Sequence, residues 1–121
     1  MLFDPKWEVK ADNEVVTALR RAMEIIADES KWTCGSYALS RQGHEIDPLT
    51  PGAVSFCSIG ALALAMNSRV CEVEVAAPCH FLCAAASEKN HAHAINLNDK
   101  GRYAAALWMF DRAIELAAAA T

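Results

Sequence analysis

At 121 residues and a net charge of −4, the chain is one modest domain without the basic excess that displaces phosphate counterions, so nucleic acid is not an expected partner. Apolar types make up 54% of it and charged types 21%, which supports a core and excludes a disordered chain. Five glycines and four prolines exclude fibrous classes, and 24 alanines favour helix because alanine has no side-chain entropy to lose.

The N-terminus, MLFDPKWEVK, has no apolar signal-peptide core, and residues 1–12 are expected to form an arm anchored by Phe3 or Trp7. Asp12 is a candidate N-cap for a first helix over about 13–30, whose stripe is Val15, Leu19, Ala22, Met23 and Ile26. Between 31 and 52, Gly35, Gly43, Pro48, Pro51 and Gly52 break the pattern, and strands at about 32–39 and 44–47 would pair as a small hairpin; an ordered loop fits nearly as well. Thr50 and Pro51 have the chemistry of an N-cap and first helical residue. The apolar run from Ala53 to Met66 that follows reads as a buried central helix. Gly60, in its middle, is expected to admit a neighbouring backbone.

Val70 to Ala77 alternates with Glu72 and Glu74 and suits either a strand or a helical turn. Pro78 opens a helix over about 78–89 with Phe81, Leu82 and Ala85 inward. Residues 90–100, NHAHAINLNDK, read as a polar connection in which Asn98 or Asp99 caps a last helix over about 100–119. That helix carries a stripe of Tyr103, Leu107, Phe110, Ile114 and Ala117. The expected fold is therefore a mainly α single domain spanning 1–121, about four helices around the central one, with a hairpin or irregular excursion at 32–47. The longest apolar run, Ile59 to Met66, is far short of the ~20 residues a bilayer span needs, so no membrane association is expected. Five cysteines, an odd number, suit a reducing cytoplasm in which most pack as small apolar side chains.

Trp32, the block Phe56-Cys57-Ser58-Ile59-Gly60-Ala61-Leu62, the pair Asn98-Asp99 and the run Phe110-Asp111-Arg112-Ala113-Ile114 form a recognisable order. The sequence resembles a family of small bacterial and phage proteins of unknown function over roughly residues 14–116. The hallmark of that family is an aromatic residue, cysteine, two further residues and glycine-alanine-leucine, with asparagine-aspartate near the C-terminal helix. The resemblance implies a compact helical domain and carries no active site with it.

Three constellations bear chemistry. A thiolate is stabilised at a helix start by backbone N–H groups and by a neighbouring imidazole, so Cys57 with His93 and Asp99 has the residue types of a cysteine hydrolase or transferase. A helix beginning at Pro51 buries Cys57 beyond the first turn, which favours a packing role, whereas a helix beginning at Ser55, with Ala53 to Phe56 extended, would favour a reactive thiol. Cys79, Cys83, His91 and His93 make a zinc donor set, with Cys71 or His80 as substitutes; because the His-x-His spacing fits zinc poorly, no metal or other cofactor is expected. Glu45 with Asp47, and Glu72 with Glu74, read as solvated acidic edges. On the last helix, Trp108 points away from the expected stripe, beside Ala104, Ala105 and Arg112, and marks a protein-partner or homodimer contact. The expected function is a non-enzymatic protein-interaction module, such as a phage or prophage accessory protein, with the Cys57 enzyme as the alternative.

Overall fold

In the computed structural model, which describes residues 5–120 and side-chain surroundings from residue 14 onward, the chain folds into six α-helices and a two-stranded sheet. Helix α1 (Pro5–Ile25) begins well before Asp12, so the expected arm is largely helical backbone and Asp12 lies within the helix. Phe3 and the Trp7 side chain lie outside the described residues. Val16, Leu19, Ala22 and Ile26 are buried, with Val15 and Met23 half-buried beside them, so the expected stripe holds with a slight rotation. The chain leaves the α-helix at Ile25 rather than near residue 30. A 3₁₀ turn follows over Glu29–Lys31, where Asp28 accepts hydrogen bonds from the Ser30 N–H (3.0 Å) and hydroxyl (2.9 Å). The Tyr103 hydroxyl donates to the carbonyls of Ile26 and Ala27, both at 2.6 Å, and satisfies acceptors that the end of a helix leaves open.

Strand β1 (Ala38–Ser40) pairs antiparallel with β2 (Ala53–Phe56), Ala38 opposite Phe56 and Leu39 opposite Ser55. The expected 32–47 hairpin is present only as a tight turn. Leu39 bridges Glu45, the Ile46 N–H donates to the Ala38 carbonyl (3.2 Å), and Gly43 sits at φ 84°, where a side chain is strained. The strand that completes the sheet comes from the stretch expected to open the central helix. Thr50 and Pro51 form a turn instead, with the Thr50 N–H bound to the Asp47 carbonyl (2.9 Å) and the Ala53 N–H to that of Thr50 (3.0 Å).

Helix α2 therefore runs only over Ser58–Met66, with Cys57 as its N-cap. Its residues Ser58 to Ala63 are all buried, as a helix without a polar face requires. It ends at Asn67, in the left-handed region at φ 50°, where the Ser68 N–H returns to the Ala63 carbonyl (3.0 Å). A Cβ on Gly60 would collide with the Tyr37 carbonyl, so this glycine lets the loop before β1 lie directly on α2.

The ambiguous 70–77 stretch is a short helix, α3 (Val70–Val73), followed by α4 (Ala77–Ser87), which has the expected Pro78 in its first turn. The polar connection at 90–100 is in fact helix α5 (Ala94–Lys100), with Ala94, Leu97 and Asn98 buried. Helix α6 (Tyr103–Ala119) has Arg102 as its N-cap, without a side-chain capping bond, so neither Asn98 nor Asp99 caps it. Its buried face is Ala106, Met109, Phe110, Ala113 and Ala117, while Tyr103, Leu107 and Ile114 of the expected stripe are half-buried. The rotation puts small residues where α6 meets two neighbours, α4 and α1; α2 packs on α1 and touches α3 and α5. The domain is mainly helical and single, with six α-helices among the described residues rather than about four. Among the described residues no helix is long and apolar enough to cross a membrane.

Candidate functional site

The N-terminus of α2 is assembled from three distant segments. The Asn98 side chain, 1% exposed, reaches it from α5. Its Oδ1 accepts from the Ser58 N–H (3.0 Å), the Ser58 hydroxyl (2.7 Å) and Trp32 Nε1 (2.9 Å). Its Nδ2 donates to the Thr33 carbonyl (3.2 Å) and to Asp99 Oδ1 (3.1 Å). Donors on one side and acceptors on the other fix the amide in one orientation. Asp99 Oδ1 also accepts the N–H of Gly35 (3.0 Å), which stands at φ 85°. Trp32 and Tyr103 are in ring contact, centroids 5.8 Å apart. Trp32 and Ser58, which lie 66 and 40 residues from Asn98 in the sequence, thus meet Asn98-Asp99 in one network. Among the described residues no buried side-chain N or O lacks a partner.

Beside this network lies an open cleft of about 670 Å³ lined by Gly35–Ala38, Glu45–Pro48, Cys57, Val70, Ile95 and Asp99. Glu45, Asp47 and Asp99 give it three carboxylates, and among the described residues no lysine, arginine or histidine is in its wall. Glu45 accepts from the Ser36 hydroxyl (2.7 Å), and Asp47 accepts the Leu49 N–H (2.8 Å), so both are oriented by local bonds. The Tyr37 phenol is held above its usual range by partial burial and by the carboxylates of Glu74 and Asp99 and the thiol groups of Cys57 and Cys79. Glu45 and Asp47 are exposed, as a solvated edge requires, and they also line the wall of the cleft, a placement that the turn at 40–44 creates. Tyr37 gave no sequence signal at all.

Cys57 borders the cleft but is only 4% exposed. Its Sγ accepts the Gly60 N–H (3.4 Å), and its own N–H donates to the Tyr37 carbonyl (3.2 Å). Burial pushes its thiol up to about 11; the N–H groups of Gly60 and Ile59 pull the other way and are outweighed, while the Asp99 carboxylate adds to the rise. The extended 53–56 segment thus delivers the helix-start position that favours a thiolate, and desolvation cancels the benefit.

His93 is elsewhere. It is the N-cap of α5, its Nδ1 accepting the Ile95 N–H (3.1 Å), and a nitrogen of its ring lies within 4.8 Å of the sulfurs of Cys79 and Cys83 on α4. The Cys57, His93, Asp99 set is therefore divided: Cys57 and Asp99 share the cleft and His93 joins the other two thiols. Of the four-residue metal set, Cys79, Cys83 and His93 are gathered, and His91 is not among them. Cys71 and His80 are exposed. Cys79 is held protonated, up to about 12, by burial and by Cys83.

Trp108 is half-buried against the core, with Lys89 Nζ 4.7 Å from its ring centroid, rather than bare to solvent as expected. Arg112 is tied to Glu88 (2.9 Å) and Glu115 (3.3 Å). Ala104 is exposed and Ala105 half-buried.

A family model described as a family of unknown function, DUF6197, matches residues 10–116. No curated protein and no solved structure matches the chain.

Proposed function

The chain belongs to the DUF6197 family, whose function is unknown, and we propose from its own surface that it is a non-enzymatic binding module whose acidic cleft receives a lysine- or arginine-bearing segment of a protein partner. The observation that carries this reading is the cleft itself: about 670 Å³, three carboxylates from two segments, and no basic side chain in its wall among the described residues. Confined carboxylates focus a negative potential and favour a cationic group over an anionic one. Glu45 and Asp47 are both exposed, so they can be exchanged without opening the core.

The test is a titration of isotope-labelled protein with short lysine- and arginine-containing peptides and with their glutamate counterparts. Basic peptides should move the amide resonances of Gly35, Tyr37 and Asp99, less so at high salt, and Glu45→Gln with Asp47→Asn should abolish the shifts at unchanged melting temperature. Equal shifts with the acidic peptides, or none with either set, would sink the idea.

One observation favours the enzyme reading: Cys57 stands at the start of α2 on the cleft wall. Its elevated thiol and the grouping of His93 with Cys79 and Cys83 weigh against it. Alkylation of Cys57 at neutral pH, at a rate matching exposed Cys34 and Cys71, would reverse the ranking. A partner or homodimer contact around Trp108, Ala104, Ala105 and Arg112 is less supported, because Lys89 already covers the ring and Arg112 is already paired.

A further inference from the structure

Cys79 and Cys83 are four residues apart on α4, so one helix face presents both sulfurs in the same direction. His93 arrives from a separate element, as the residue on which α5 begins. The three donor atoms all lie within 4.8 Å of one another. Tetrahedral zinc with bonds of ~2.3 Å to sulfur requires sulfurs about 3.8 Å apart, so rotation of partly exposed Cys83 and His93 is enough to close the set. Two thiolates and an imidazole are the donors that select zinc over the hard, oxygen-seeking cations.

We propose that Cys79, Cys83 and His93 form a binding site for one Zn²⁺ ion, with the fourth coordination position left to water. The proposal is independent of the acidic cleft. Each thiol loses its proton to solvent as its sulfur binds the metal, so two protons are released per ion while the imidazole stays neutral. The site also has a built-in reporter. Without metal, Nδ1 of His93 accepts the Ile95 N–H, which puts the ring proton on Nε2. A metal at Nδ1 takes the lone pair that the amide was using. A metal at Nε2 moves the proton to Nδ1. Both outcomes break the cap, so the Ile95 amide must respond to occupancy.

Metal-free protein is titrated with Zn²⁺ and with Co²⁺. One ion should bind per chain, releasing two protons and shifting the Ile95 amide resonance. Cobalt should show the intense visible bands of tetrahedral coordination and thiolate charge transfer. Cys83→Ser and His93→Gln should each weaken binding by about 100-fold or more, since even outer-shell partners of a metal are worth ~10–100-fold. Exposed Cys34→Ser and Cys71→Ser should leave it unchanged. Circular dichroism checks that the variants fold; the Cys34→Ser, Cys71→Ser double variant keeps the test intact if either ligand variant does not. No stoichiometric binding, a pale six-coordinate cobalt spectrum, an unmoved Ile95 amide, or affinity that survives Cys83→Ser would each overturn the site.

Discussion

Where α1, α4 and α6 meet, Leu19, Ala22, Leu82, Ala85, Met109 and Phe110 are fully buried, and the contact is apolar side chain against apolar side chain. Where α5 meets α2, one amide bonds to Trp32, Thr33, Ser58 and Asp99 at once. The first region spreads its stabilisation over many small contacts, so a lost contact is shared among neighbours. The second concentrates it, because removing a hub strands every group it served in a dry setting. The first should yield gradually to mutation, and the second should fail as a unit and release the cleft with it.

The largest expected effect is in the apolar region. Phe110→Ala removes the bulkiest fully buried side chain and should cost about 3–5 kcal/mol in denaturant unfolding. Asn98→Ala should cost on the order of 3 kcal/mol, since it leaves the Ser58 N–H, the Ser58 hydroxyl and Trp32 Nε1 without their acceptor. Hydrogen exchange separates the two: in Asn98→Ala, amides of 33–36 and 58–60 should lose protection while those of α6 keep theirs. Uniform loss of protection would show that the two regions are one cooperative unit.

Alkali probes the hub from another side. The folded Cys57 thiol is pushed up to about 11 from an ordinary 9.0, so its contribution is whole below about 9 and is lost as pH rises towards 11. Two pH units at about 1.4 kcal/mol each give a loss of up to about 3 kcal/mol, read as a falling melting temperature. Cys57→Ser does not titrate and should remove that share of the slope. Gly60→Ala should cost about 1–3 kcal/mol, because its methyl meets the Tyr37 carbonyl, a backbone atom that cannot rotate away. An unchanged melting temperature would mean that the loop before β1 does not lie on α2. The smallest effect is expected at the half-exposed Arg112–Glu88 pair, where Arg112→Ala should change stability by less than about 1 kcal/mol.

Helices α1, α4 and α6 were legible because each has a wet side, and a wet side imposes a helical period on the apolar positions. Even there the period fixed the face only to within a rotation. On α6, which packs on both α4 and α1, Ala106 and Ala113 are buried and Leu107 and Ile114 are left half-buried. Gly60 was legible as a point of close approach, though not that a carbonyl from a different segment fills it.

The run from Ala53 to Met66 has no wet side, so nothing in its order distinguishes strand from helix. Pairing of 53–56 with Ala38–Ser40 made that decision. Helix α5 was hidden for the opposite reason: NHAHAINLNDK is polar by count, and its buried Ala94, Leu97 and Asn98 form a helical face only if an asparagine is accepted as a core residue. A buried amide is tolerable when its partners are in place, and those partners lie 40 to 66 residues away. Composition and periodicity determined a helical domain and three of its helices, since hydrophobic burial acts on each segment's own pattern. The helix-start position of Cys57, the acidic cleft and the meeting of His93 with two thiols depended on hydrogen bonds and contacts between distant segments, which no local pattern encodes.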